Sequence, residues 1–358
     1  YETLKITILQ GAFLPVPPLY GGAVEKLWFE LGKQFASLGI DVVHISRAHC
    51  ELPDDQVIEG VNHIRIPGFE MPANILITNT FWMPILRRFT SPKTGLLVIS
   101  VERMPKGQIK LYSNAAVLRC CSESVRDRVL HEQPLLAPKT VVIPNPLPFD
   151  ISTITSQPNK QPTILYCGRI HPEKGLELLI QAFAKACQLG LCGWTLRIVG
   201  PAEVSHGGGG RDWLRSLQEL SLVANTPIQW IGPLYDNDLL HAEYMNASLF
   251  VYPSLALQGE AMPIAPLEAM SYGAVPIVSA LPCFGQYIKD GFNGFVFNQM
   301  SSDSVSILAG LFVELASDPD RLRKLSIQAS RVRETHAPHV IAHAFHQLFM
   351  QLIVGHSQ

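Results

Sequence analysis

Short unbroken apolar runs alternate with amphipathic stretches along most of this chain. Leu4–Leu9, residues 40–46, Ile64–Ile66, Ala73–Thr78, Leu96–Val101 and Val117–Cys121 each read as a buried strand. Between the first two, residues 22–38 carry apolar positions at helical spacing, and Ser122 is a good helix start. The second half repeats the design. Thr163–Cys167, Leu196–Gly200, Ile228–Gly232 and Ser248–Pro253 are strand-like, whereas Leu176, Leu179, Ile180 and Phe183 keep helical spacing. Such alternation predicts parallel sheets with helices on both faces. The run Ser156-Gln-Pro-Asn-Lys-Gln-Pro162 reads as a linker. The expected organisation is therefore α/β: one doubly wound domain over 1–150, a second over 151–335, and a terminal segment, 336–358, with a helix over about 337–353.

Composition narrows the class. With 358 residues, 47% hydrophobic and 16% charged, each half can bury its own core, and a disordered tail is excluded. A net charge of −2 gives no reason to expect nucleic acid. The apolar runs are too short to span a membrane, and the opening residues have no signal-peptide pattern, so a cytoplasmic protein is expected. Seven cysteines without a Cys-x-x-Cys pair read as reduced thiols.

Two segments carry the candidate chemistry. In Glu260-Ala-Met-Pro-Ile-Ala-Pro-Leu-Glu268, two carboxylates stand eight positions apart between a predicted strand and a predicted helix. Pro263 and Pro266 suit a helix's first turn, and Gly273 can close it. A helix start offers free N–H groups to a phosphate, while ionised carboxylates accept from hydroxyls. Sugar hydroxyls together with phosphates describe a nucleotide sugar. The alternative is glutamate answering a helix dipole. In Gly168-Arg169-Ile-His-Pro-Glu-Lys174-Gly175, Gly168 ends a strand, placing Arg169 and Lys174 in the loop at its carboxyl end, where doubly wound sheets bind ligands. Arginine offers phosphate a fork and lysine a point charge; two solvated loop cations are the other reading.

Gly-Arg-x4-Lys-Gly followed by Pro-Ser…Glu-x7-Glu-Ala-Met resembles the retaining glycosyltransferases of family 4, of the GT-B type. Leu196–Gly200, Ile228–Leu234, Ser271–Val278 and the front loop Pro17-Pro-Leu-Tyr-Gly21-Gly22 fit the same pattern, so the resemblance covers nearly the whole chain. It implies two Rossmann-like domains facing a central cleft, with the last helix crossing back to the first. It implies that Arg169 and Lys174 hold the diphosphate, with Gly168 at the turn, Met262 and Pro263 lining the same site, and the backbone N–H groups of Ile264 and Ala265 adding to the phosphate contact. Glu268 would take the ribose hydroxyls, Glu260 the transferred sugar and backbone near Leu234 the base. Gly21 and Gly22 would let the first domain approach the diphosphate. The implied activity is transfer of a sugar, most commonly from a UDP-linked donor, to a saccharide or lipid-linked acceptor of cell-surface polysaccharide, without metal or cofactor. The other function classes are a non-catalytic sugar-nucleotide-binding partner and an epimerase- or phosphorylase-like enzyme of the same fold.

One departure stands out. Many family members carry a histidine after the strand matching Gly95–Val101, and here the aligned residue is Glu102. It either contacts the donor sugar or is an ordinary loop residue. Arg103, Lys106 and Lys110 fit an anionic acceptor or a solvated loop. Trp82, Leu86, Arg87, Arg88, Phe89 and Lys93 fit either peripheral contact with anionic membrane or a helix with a charged outer face. His336, His339, His343 and His346 form a stripe that one straight helix would close poorly around zinc. Asp236-Asn-Asp238 reads as a helix cap, and Gly207–Gly210 as a flexible surface loop or lid.

Overall fold

The computed structural model describes residues 4–10, 14–67, 81–84, 95–153 and 160–356. The chain forms two compact units, one of residues 1–153 and 334–358, the other of residues 154–333.

The first unit contains strands β1 (Lys5–Leu9), β2 (Asp41–Arg47), β3 (Asp55–Ile58), β4 (Val61–Ile66), β5 (Phe81–Pro84), β6 (Leu96–Val101), β7 (Val117–Cys120) and β8 (Thr140–Val142). Its helices are α1 (Ala23–Ser37) and α2 (Glu123–Glu132). The sheet order is β3-β4-β2-β1-β5-β6-β7-β8. Each described pairing is parallel except β3 with β4. That hairpin was not legible beforehand. Its turn is Glu59-Gly60, with both residues at positive φ, 45° and 84°. Positive φ is unusual for glutamate, and Asn-Gly or Asp-Gly would have been the signal. Trp82, read as following a strand, lies within β5. Ala73–Thr78 and Leu86–Lys93 fall outside the described residues.

The second unit holds β9 (Gln161–Cys167), β10 (Thr195–Val199), β11 (Ile228–Gly232), β12 (Ala247–Tyr252), β13 (Val275–Ser279) and β14 (Phe295–Phe297) in the order β11-β10-β9-β12-β13-β14. Every pairing is parallel. Its helices are α3 (Leu176–Gln188), α4 (Arg211–Ala224), α5 (Asn237–Asn246), α6 (Ala265–Ser271), α7 (Ser304–Ala316) and α8 (Pro319–Ser330). All six residues of β12 are buried, as expected of a central parallel strand covered on both faces. Asp236 caps α5, its carboxylate accepting from the N–H groups of Asp238 and Leu239 at 2.8 and 3.1 Å.

A short α9 (Val332–Thr335) precedes α10 (Pro338–His356). Ile341, Ala342, Phe345, Leu348 and Phe349 form the buried stripe of α10. Phe345 meets Trp28 and Phe35 of α1 edge-on, with ring centroids 5.6 and 5.8 Å apart. The histidines divide by position: His336 is buried, while His339 and His343 are exposed. Among the described residues, no three His, Cys, Asp or Glu side chains are grouped to hold a metal ion. Nor is any described helix long and apolar enough to cross a membrane.

Candidate functional site

Because the second sheet is wholly parallel, the loops following β9, β10, β11 and β12 all leave its carboxyl edge. The β9 loop is drawn in tightly. Gly168 donates its N–H to Val199 O (3.0 Å), and a Cβ on neighbouring Gly200 would lie 1.8 Å from Gly168 O. Gly175, in the left-handed region at φ 71°, fits against Pro253, whose carbonyl oxygen would be 2.0 Å from an added Cβ. Leu255 N–H donates to Glu173 O at 2.7 Å, joining the β9 loop to the β12 loop.

This stitching brings three of the candidate residues together. Lys174, 5% exposed, is ion-paired with Glu260, and Ser254 Oγ donates to the same Glu260 oxygen at 2.8 Å. Lys174 Nζ also lies over the Tyr252 ring, 5.4 Å from its centroid. Arg169 and Lys174 share a second carboxylate: Glu173 Oε1 is 3.0 Å from Arg169 Nη2 and 3.9 Å from Lys174 Nζ. The result is two cations, two acids and a hydroxyl in one patch. Ser254 and Glu173 lie within the motifs, but nothing in the sequence gave either of them a role.

Glu268 sits in the first turn of α6 and is 5% exposed. Tyr244 Oη of α5 donates to Glu268 Oε2 at 2.6 Å. Burial pushes the Tyr244 phenol well up, so it stays protonated and remains the donor. Tyr244 also stacks on Tyr272, with centroids 6.3 Å apart. Neither tyrosine was singled out from sequence. Helix α6 begins at Ala265 with Ile264 as its N-cap, so Pro266 lies in the first turn and Pro263 lies ahead of it. Pro263 instead accepts from Tyr287 Oη at 2.7 Å. Met262 is buried just before this turn. Leu234 lies in the β11 loop beside Tyr235, whose ring is 6.0 Å from that of His206.

The glycine run Gly207–Gly210 corrects the expectation of a flexible lid. It is held by backbone hydrogen bonds: Gly208 to Glu203 O at 2.9 Å, and Gly209 to Ile170 O and Gly210 to Ala202 O, both at 2.8 Å. At Gly208 the lack of a side chain lets backbone approach backbone, since a Cβ there would lie 2.2 Å from Ala202 C and O.

In the first unit, Gly21 and Gly22 take positive φ of 75° and 93°. At Gly22 this left-handed backbone itself favours glycine, and a Cβ there would also push the Glu25 carboxylate aside, at 2.2 Å. Burial raises the Glu25 carboxyl above its ordinary range, with nearby Arg103 opposing. Glu102 is not a loose loop residue. Its Oε1 accepts from Trp28 Nε1 (2.9 Å), Ser100 Oγ (2.7 Å) and Arg119 Nη1 (2.6 Å). Arg119, fully buried, also donates to Ile143 O and Asn145 Oδ1 and lies 5.2 Å from the Phe345 ring centroid. Glu102 is therefore the counter-ion of a buried arginine that ties β6, β7, α1 and α10 together. Lys106 and Lys110 are exposed.

Comparison with known proteins gives this geometry a family. The profile described as glycosyl transferases group 1 matches residues 150–332, about half of the chain. The chain belongs to that family. It is similar to an exopolysaccharide phosphotransferase from Streptomyces coelicolor, 31% identical over 220 residues, covering 61% of this chain and 21% of the relative. The chain spans between a fifth and just over a third of the length of the curated relatives it matches. Among solved structures, a sucrose-phosphate synthase from Thermosynechococcus elongatus aligns with a TM-score of 0.79 at 18% identity, covering 98% of this chain and all of that one. HepE from Anabaena, solved in complex with UDP-glucose, aligns with a TM-score of 0.73 at 15% identity, over 98% of this chain and 100% of that one. The group 1 chain thus has the α/β GT-B fold.

Proposed function

We propose that this chain is a retaining glycosyltransferase of family 4, moving a sugar from a UDP-linked donor such as UDP-glucose to a saccharide or lipid-linked acceptor in cell-surface polysaccharide synthesis. The observation that carries the reading is the patch of Arg169, Lys174, Glu173, Glu260 and Ser254 at the carboxyl edge of a parallel sheet, with Glu268 on the neighbouring helix. That HepE, of like fold, was solved with UDP-glucose supports the choice of donor.

Each residue's work follows from its chemistry. Arg169 and Lys174 meet the diphosphate and offset the charge that develops as the nucleotide leaves. Ammonium has three donors, so Lys174 can keep Glu260 and still reach a phosphate oxygen. Glu260, anchored by Lys174 and Ser254, accepts from hydroxyls of the transferred sugar, and Glu268, steadied by Tyr244, accepts from the ribose. The N–H groups of Ile264 and Ala265, which lack partners within the helix, add to phosphate binding. Two cations and these N–H groups supply the electrostatics a metal would otherwise give, so the transfer is metal-independent. On this reading the donor lies on residues 151–335 and the acceptor on residues 1–150. Glu102, on the same reading, frames the acceptor domain instead of touching sugar, a role supported by its ion pair with buried Arg119. The enzyme works in the cytoplasm, and the basic-aromatic segment from Trp82 to Lys93 brings it to anionic membrane. Flotation with anionic liposomes at low salt tests that last point, and failure to float removes it.

Nucleotide release tests the function. UDP should be freed from UDP-glucose faster with an oligosaccharide or glycolipid acceptor present, at a rate unchanged by EDTA, and the product should keep the donor's anomeric configuration by NMR. Tight UDP-glucose binding without turnover on any acceptor would favour the non-catalytic partner reading.

A further inference from the structure

We infer that the glycine run Gly207–Gly210 is a clamp that sets the direction of the Arg169 guanidinium, making these glycines positioning residues for the diphosphate contact. The inference rests on the reading of Arg169 given above.

Arg169 is a partly exposed side chain that would ordinarily sample many rotamers, at a cost whenever a ligand immobilises it. Here its fork is fixed from two sides. Nη1 donates to Gly207 O at 2.9 Å, and Nη2 to Glu173 Oε1 at 3.0 Å. A guanidinium has five N–H groups, so these two bonds orient it and leave others for a phosphate. The wall that supplies the Gly207 carbonyl exists only because no side chain intervenes. Gly207 closes the turn Val204–His206 at φ 79°, and a Cβ there would lie 2.9 Å from Arg169 Cδ and 3.1 Å from Nη1. At Gly208 a Cβ would fall 2.2 Å from both C and O of Ala202, and at Gly209 it would be 2.9 Å from Pro172 Cδ and from Trp213 Cδ1. Gly209 N–H to Ile170 O (2.8 Å) binds the run to the arginine's own loop, and Ile170 N–H to Pro201 O (2.9 Å) binds that loop to the segment leading into the run. Gly207, Gly208 and Gly209 each remove a different obstacle to one close approach. The diphosphate then meets a fork already turned toward it, which is preorganisation of the kind that raises affinity without a new contact.

The test is a double-mutant cycle read by calorimetric UDP and UMP binding and by steady-state kinetics. Gly207→Ala pushes on Arg169 and adds backbone strain. Gly207→Asn pushes equally but tolerates the left-handed backbone, so loss common to both is loss of the fork's position. Both variants should bind UDP about three- to tenfold more weakly, the cost of immobilising one long side chain. UMP affinity should change less, and thermal melting should stay close to wild type for Gly207→Asn. In an Arg169→Ala background the glycine substitutions should have no further effect on UDP. Equal losses in both backgrounds, or none in either, overturn the clamp. If Arg169→Ala alone leaves UDP binding intact, or the wild type binds no UDP, the donor reading falls and the clamp with it.

Discussion

Removing the positive charge of Lys174 should destabilise the second unit as well as disable it. Lys174→Met keeps the stem and most of the volume but strands Glu260, whose side chain is 9% exposed and whose remaining donor is Ser254 Oγ. Breaking one side of a buried pair costs about 3–5 kcal/mol, because the surviving charge loses its partner and cannot regain water. For a unit of this size each kcal/mol moves Tm by about 2–4 °C, so the transition should drop by about 6–20 °C. Turnover should fall by about 10²–10³-fold, the loss typical of a group that stabilises developing charge. The two effects separate in the double variant Lys174→Met/Glu260→Gln. With neither charge present, most of the thermal loss should return, while turnover stays low. Differential scanning fluorimetry and a coupled UDP-release assay read both quantities on the same preparations. A Lys174→Met protein that melts like wild type, or a double variant no more stable than the single, would refute the claim that this pair is buried and mutually dependent.

Other outcomes follow from the same geometry. Tyr244→Phe removes the 2.6 Å bond to Glu268 and should weaken UDP binding by about 0.5–1.5 kcal/mol, with less effect on 2′-deoxy-UDP; equal losses for both ligands would count against Glu268 holding the ribose. Glu102→Gln leaves Arg119 buried without its counter-ion and should lower Tm with little change in donor KM, whereas a selective rise in donor KM would return Glu102 to the sugar site. His44 of β2 and His63 of β4 stack with centroids 5.1 Å apart, and both are fully buried. Burial depresses both, His63 to about 4, with nearby Arg65 adding to the effect. The unfolded chain therefore takes up these protons first, so stability is full above the ordinary histidine range and falls as pH drops from about 6.5 toward 4. Urea melts across that window should show a shallower slope for His63→Leu; an unchanged slope would remove the histidines as its cause.

The sequence was most legible where a local rule and a global one agreed. In the second unit β9, β10 and β11 end at or beside a glycine and β12 stops before Pro253, so these short apolar runs could be placed to within a residue or two of their ends. The motif residues Arg169, Lys174 and Glu260 could be named because loops at a parallel sheet's carboxyl edge are where such groups converge. What sequence could not show is pairing across loops. Nothing in the order of residues says that Glu260 neutralises Lys174, that Glu173 lies between the two cations, or that Tyr244 reaches Glu268 from another helix. Gly207–Gly210 misled for a related reason. Composition alone suggests mobility, but the absence of Cβ atoms serves equally for close packing, and only the neighbouring backbone distinguishes the two. Glu102 likewise looked like a loop carboxylate because its partner Arg119 is on a different strand, where a charged residue in an apolar run gave no hint of what it faced.

The most direct test is a crystal structure of the chain soaked with UDP. The account predicts the diphosphate within hydrogen-bonding distance of Arg169 and Lys174, both ribose hydroxyls on Glu268, and Glu260 turned to the space beyond the second phosphate. UDP seated elsewhere, or bound with Lys174 and Glu268 on different ligand-free faces, would contradict it.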